Sequence, residues 1–225
     1  MDSKTSSPSN PSVVIPLRVG RSAAVLVAAI SFAAFVALGL AVHRYGEPAA
    51  LLAFDRALFD HGAGIAWWFT ELAKFYALSA IFVALLVVAL LRRAWRGEIV
   101  FSLVMLVLAW RAADFFQHVF ARSRPTDWVM IHETTFSYPS SHATIAVAFY
   151  ALWAWLLARR PQTQARRVVS FALALLALAI CWSRLALGAH FVTDVAGGAL
   201  LGLTLLAAGV AVWPEILVRG RREPA

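Results

Sequence analysis

Six apolar runs separated by short arginine-bearing polar stretches dominate the chain: Ala23 to Val42, Ile65 to Leu91, Ile99 to Gln117, Ala143 to Ala158, Val168 to Gly188 and Phe191 to Val212. A helix needs about 20 such residues to cross about 30 Å of hydrocarbon, so the pattern predicts an all-α, six-transmembrane helical bundle. The first run is longer than the roughly 7–15 residues of a signal-peptide core and lacks a convincing small-residue cleavage site, so it reads as a retained span. Between the first two spans, Glu47 to His61 is polar with an amphipathic piece suited to the interface. Residues 1–21 are rich in Ser, Pro and Asn and read as a flexible tail, leaving 22–213 as the membrane domain and 214–225 as a basic tail.

Composition agrees with this division. Of 225 residues, 61% are hydrophobic and 14% charged, with a mean hydropathy of +0.75. Soluble domains average about 45–50% apolar and roughly 25% charged residues. Together with a single cysteine, Cys181, this balance excludes a disordered chain, a coiled coil, a disulfide-stapled module and a zinc ribbon. The net charge of +8 would suit a nucleic-acid partner, but its placement is that of a topology code. Thirteen of the twenty basic residues (Lys4, Arg18 and Arg21, then arginines at 92–96, 159–167 and 219–222) fall on one side of a six-span arrangement. The positive-inside rule then puts both termini in the cytoplasm and leaves no basic face for nucleic acid.

Unusual polar residues gather in three segments. Gln117 to Pro125 includes His118, Arg122 and Arg124; Pro139-Ser140-Ser141-His142 opens the fourth span; Ser183-Arg184 is followed by His190 and Asp194. All three fall at the outer ends of predicted spans, and ionisable groups at such depth point to function. The residue types suit phosphate. Arg124 and Arg184 carry planar forks for phosphoryl oxygens, and Ser140 and Ser141 stand where a helix N-terminus favours an anion. His190 and Asp194, four apart, share a helix face, so the carboxylate can orient one imidazole nitrogen and leave the other as a nucleophile. His142 can protonate a leaving oxygen.

The pattern resembles the type 2 phosphatidic acid phosphatase superfamily, whose signature is K-x6-R-P, P-S-G-H and S-R-x5-H-x3-D. Ser183, Arg184, His190 and Asp194 match the third motif fully; Pro139, Ser140 and His142 match the second, with Ser141 in place of glycine; Arg124 and Pro125 match the first, with Gln117 in place of lysine. The resemblance implies a membrane lipid phosphatase that needs no metal or other cofactor. In it His190 forms a phosphohistidine, Asp194 supports it, and His142 acts as acid and then base. Arg124, Arg184, Ser140, Ser141 and Gln117 would surround the phosphate. Gln117 removes one cation from that cage, and a unit-charge pair at 4 Å is worth about 4 kcal/mol at an effective dielectric of 20. Arg122 and His118 are the neighbouring groups that would replace it.

Other readings stay open at this level. His190 with Asp194 could be a helix-capping pair, and Ser140 and Ser141 ordinary N-caps. A lipid-linked phosphotransferase and a silent lipid-phosphate-binding relative fit the same motifs; a transporter fits less well, since its site would lie at the midplane. Arg111 with Asp114 and Glu71 with Lys74 read as structural ion pairs, Arg111–Asp114 helping helices to pack. Gly198 and Gly202 suit close helix approach within the bundle, and Trp95, Trp110, Trp182 and Trp213 an interfacial belt. The expected partners are membrane lipids and a lipid phosphate such as undecaprenyl diphosphate, phosphatidylglycerol phosphate, phosphatidate or a lipid A phosphate. The choice among them lies in the loops Arg44–Ile65 and Arg122–Tyr138. A preference for arginine over lysine hints at a bacterial inner membrane, with the site facing the periplasm.

Overall fold

A computed structural model describes residues 20–59, 63–131, 133–160 and 163–220, with side chains as far as Trp213. The outer parts of both tails, and His61 at the end of the expected interfacial stretch, lie outside the described residues. Among the described residues every regular element is helical: α1 (Arg21–Tyr45), α2 (Ala49–Leu58), α3 (Ala63–Glu71), α4 (Phe75–Leu91), α5 (Arg96–Phe120), α6 (Ser141–Ile145), α7 (Leu152–Ala158), α8 (Gln164–Ala186) and α9 (Val192–Gly220). A π turn over Ala146–Ala151 joins α6 to α7 in one continuous helix, Ser141–Ala158. Among the described residues five helices are long and apolar enough to cross a membrane; α3 and α4, bent by 45° at the break between them, bring the number to six when the pair is counted as one span.

That bend breaks the second span expected over Ile65 to Leu91 into two helices. No glycine or proline causes it. The chain tightens instead through Leu72 N–H to Phe69 O, Ala73 N–H to Thr70 O and Lys74 N–H to Glu71 O. A helix broken inside a membrane must find other partners for its freed backbone groups. Here Tyr150 Oη donates to Leu72 O at 2.6 Å, and Arg184 Nη1 donates to Thr70 Oγ1 at 2.5 Å. Short α2 lies between the first two spans, within the stretch that the sequence marks as amphipathic.

Close packing around α9 sets the frame. A methyl group on Gly198 would come within 2.4 Å of Ser140 O, and one on Gly202 within 2.7 Å of Thr144 O. Only a residue without a side chain lets α9 lie this near the start of α6. On its other side α9 meets α1, where Thr204 Oγ1 donates to Ser31 Oγ at 3.0 Å. Phe35 of α1 stacks on Tyr138 with centroids 5.6 Å apart, and Tyr138 Oη donates to Phe35 O at 2.6 Å. The first span is thereby tied to the loop ahead of α6.

Two expectations fail here. Arg111 and Asp114 are 3.8 Å apart but both side chains are exposed on the outer surface of α5, so the pair does not hold helices together. Trp213, expected in the interfacial belt, is buried against Phe101 with centroids 4.2 Å apart. Its indole fills a gap between α5 and α9 instead.

Candidate active site

The C-terminal ends of α3, α5 and α8 and the N-terminal ends of α4, α6 and α9 meet at one end of the bundle, and the three polar segments meet there with them. α5 stops on Ala121, whose φ of 45° is the left-handed turn that closes many helices. The next residue, Arg122, therefore folds back into the protein. Its Nη1 lies 2.5 Å from Asp194 Oδ1 and its Nη2 2.7 Å from Glu47 Oε2.

Asp194 is fully buried and saturated with donors. Besides Arg122 it accepts from Ser137 Oγ and, at 3.0 Å, from the Phe191 N–H. His190 Nδ1 sits 3.6 Å from Asp194 Oδ2 and 3.4 Å from Ser137 Oγ. A carboxylate and its hydroxyl on that side favour the proton on Nδ1, so Nε2 carries the lone pair. Nε2 faces Arg124, whose Nη1 lies 3.0 Å away. Burial, with the guanidinium charges of Arg124 and Arg184, holds the His190 imidazole well below its usual range, and it is neutral at pH 7.

Arg124 is anchored through its other donors to Thr135 O, Thr135 Oγ1, Phe136 O and Ala189 O at 2.7–3.1 Å. Burial and the nearby Arg184 charge lower it to about 10, still cationic at neutral pH. Arg184, fully buried, donates to Thr70 and pairs with Glu133 Oε1 at 2.7 Å. Burial pushes the Glu133 carboxyl upward, but Arg184 outweighs it and holds the group below the usual carboxylate range. Among the described residues five buried side-chain polar atoms have no hydrogen-bond partner, and two of them, Arg184 Nε and His142 Nε2, lie beside His190 and Arg124. His142 also lies within the electrostatic reach of Arg184, His190 and Arg124. A donor and an imidazole nitrogen left without protein partners beside a histidine–guanidinium pair suit an anion bringing its own oxygens.

The expected phosphate-binding set divides. Arg124 and Arg184 stand beside the histidines, and Ser141 lines a cleft with His142. Ser140 is an N-cap: its Oγ accepts the Ala143 N–H at 3.5 Å, while its own N–H donates to Asp194 O at 3.0 Å. Gln117 is buried, and its amide donates to Pro139 O at 3.0 Å, bracing the loop ahead of Ser140. Neither neighbour replaces the missing lysine. Arg122 is held by two carboxylates, and His118 is exposed on α5, bonded to Asp114 O at 2.8 Å. Ser137, Glu133, Glu47 and Thr70 were not among the sequence candidates; each stands outside the motifs and becomes significant only through a partner distant in the chain.

The cleft that contains Ser141 and His142 has a volume of about 580 Å³. Glu133 and Lys74 also line it, and the remaining wall is mostly apolar, from α4 and α5, with Phe82 and Leu106 as examples. Polar groups at one part of an apolar cleft between membrane helices suit a molecule with a charged head and a hydrocarbon tail.

Fold and site together are those of an integral-membrane helical bundle with histidines and guanidinium groups gathered at one end. The chain belongs to the PAP2 superfamily, which it matches over residues 98–216, more than half its length. Phosphatidylglycerophosphatase B of Bacillus subtilis (strain 168) is 37% identical over 86 residues, covering 37% of this chain and 42% of that protein. The match thus spans less than half of that relative. An uncharacterized 22.5 kDa protein in the cps region of Klebsiella pneumoniae is 27% identical over 164 residues, covering 68% of this chain and 70% of that one. The crystal structure of a transmembrane PAP2 type phosphatidylglycerolphosphate phosphatase from Bacillus subtilis superposes with a TM-score of 0.73. It is 24% identical, and the superposition covers 88% of this chain and 98% of that one, so the fold is shared.

Proposed function

We propose that the protein is a membrane phosphatase that hydrolyses a lipid phosphate or diphosphate through a phosphohistidine. The observation that carries this reading is the His190 geometry: Nδ1 faces Asp194 and Ser137 while Nε2, neutral and unprotonated, faces the Arg124 guanidinium 3.0 Å away. His190 Nε2 attacks phosphorus, forming an N–P bond as the bond to the lipid oxygen breaks. His142 gives that oxygen its proton and then takes one from the water that cleaves the N–P bond, returning phosphate and free His190. Arg124 and Arg184 stabilise the charge that builds on the phosphoryl oxygens in both steps.

The apolar wall of the cleft supports a substrate whose tail stays in the bilayer. The name of the Bacillus relative makes phosphatidylglycerophosphate the first substrate to try. The thirteen basic residues that the six-span reading of the sequence puts opposite the motifs support cytoplasmic termini and a site on the outer face, in a bacterial inner membrane the periplasmic one.

Phosphate release from a panel of lipid phosphates, by detergent-purified protein with chelator present, tests the reading. Turnover that is inhibited by vanadate and lost in His190→Ala is the expected result. A His190→Ala variant with wild-type turnover overturns the nucleophile, and a wild type inactive on the whole panel overturns the phosphatase.

A further inference from the structure

Replacing the first-motif lysine with Gln117 leaves the phosphate cage one cation short, and nothing nearby on α5 restores it. The Gln117 amide is engaged by Pro139 O, Arg122 by Asp194 and Glu47, and His118 is exposed on Asp114. A cation does reach the site from another element. Among the described residues lining the cleft that holds Ser141, His142 and Glu133, Lys74 is the one alkylammonium group. It also belongs to the set of charged groups whose fields reach His142.

Lys74 stands at the α3–α4 break, and that break is built into the site. Arg184 holds Thr70 at its near side, and Tyr150 holds the Leu72 carbonyl within it. The same guanidinium that sits beside the histidines thus positions the segment that delivers Lys74. The Lys74 side chain is one-third exposed, and its ammonium group lies 5.0 Å from the centre of the Trp67 ring and pairs at 2.5 Å with Glu71, itself partly exposed. A flexible four-carbon stem with a partly hydrated head can exchange a carboxylate for a phosphate as a point charge, without the fixed geometry an arginine demands.

We propose that Lys74, presented by the α3–α4 break, supplies the substrate-binding cation that position 117 lacks. This rests on the phosphatase reading, because the anion it would hold is the phosphoryl group attacked by His190. It gives the bend a function: a straight helix would have no reason to hold Thr70 and Leu72 so firmly at the edge of the cleft. It also reassigns the Glu71–Lys74 pair from a brace to a ready state in which Glu71 keeps the ammonium group in place until phosphate displaces it.

The test is orthovanadate affinity by calorimetry on detergent-purified full-length variants, with lipid phosphate turnover measured in parallel. Lys74→Gln weakens vanadate binding by about tenfold, the scale of one screened charge contact, and Lys74→Arg keeps most of it. Glu71→Gln, which frees the ammonium group, strengthens binding. A brace predicts the opposite pairing, with both neutralising variants weakening it or neither changing it, and either result overturns the proposal. Should Lys74→Gln fail to fold, Glu71→Gln decides alone: stronger binding supports the proposal, and unchanged or weaker binding overturns it. If the wild type turns over lipid phosphate but Lys74→Gln matches it in affinity and KM, Lys74 is wrong and the phosphatase stands. A wild type that neither turns over lipid phosphate nor binds vanadate overturns the phosphatase and this proposal with it.

Discussion

Arg122 Nη1 lies 2.5 Å from Asp194 Oδ1, with the whole ion pair buried. The second amine of the same guanidinium binds Glu47, so one cation joins α9 to the segment after α1. The basic residue two positions before Arg124 therefore fixes the carboxylate behind His190, with its guanidinium shared between two buried carboxylates.

Because both carboxylates are buried, Arg122→Ala leaves charges with no partner, a change that typically costs about 3–5 kcal/mol. Arg122→Lys offers a single point charge where two oxygens require a fork, and it recovers only part of the loss. Thermal unfolding in detergent, with turnover on whatever folded fraction remains, checks both variants. An Arg122→Ala protein as stable as wild type would remove the pair from the framework of the site.

Ser137 stands between His190 Nδ1 and Asp194, within hydrogen-bonding distance of both. Ser137→Ala leaves the cationic groups untouched and loosens the His190 ring, the nucleophile of the proposed mechanism. The expected result is a fall in kcat of roughly tenfold, the worth of one hydrogen bond to a charged network, with little change in KM. Steady-state kinetics separates the two parameters; a change confined to KM would place Ser137 in binding rather than in positioning.

Glu133 occupies Arg184 at 2.7 Å, so an incoming phosphate competes with a carboxylate for that guanidinium. Glu133→Gln removes the competitor and lowers KM by a few-fold, about 1 kcal/mol on the scale of partly exposed ion pairs. Its carboxyl lies below the usual carboxylate range, so the competition persists undiminished through neutral pH and fades only in strong acid. Kinetics of Glu133→Gln against wild type at pH 7 is sufficient to check this.

The His190 imidazole titrates well below its ordinary value of 6.5. Two effects follow with definite signs. Hydrolysis needs the neutral ring, so the acid limb of kcat/KM lies below pH 6.5. Below that pH the unfolded chain binds a proton at this residue that the folded chain refuses, so folding stability falls as pH drops through 6.5. His190→Gln flattens that part of the stability profile, as unfolding midpoints of the two proteins between pH 5 and 8 would reveal.

What the sequence disclosed was the inventory of the site and the elements that present it. Spans appear as runs of apolar residues because no water can satisfy a backbone inside the bilayer, and the motif order places His142, Arg184 and His190 at one end of the bundle. Gly198 and Gly202 were readable as contact points for the same kind of reason: their spacing fits one helix face. The direction in which a polar side chain points was not readable. Gln117 bonds to Pro139 and Arg122 to Asp194 because the loop after Ala121 folds back, and a turn at an alanine carries no sequence signal. The α3–α4 break was hidden too, since its cause lies in Tyr150 and Arg184, far along the chain. Burial of Trp213 follows from the neighbourhood of Phe101 rather than from its place near the end of a span.

The hydroxyl of Tyr138, which hangs from the carbonyl of Phe35, has a practical meaning for anyone shortening this chain. A version starting after α1 would keep every residue of the three motifs, yet the strand of loop carrying Ser137 would lose its peg, and α9 would face bare lipid where α1 had covered it. The first helix is less a tether to the bilayer than a buttress for the loop that carries Ser137, and trimming it removes that support.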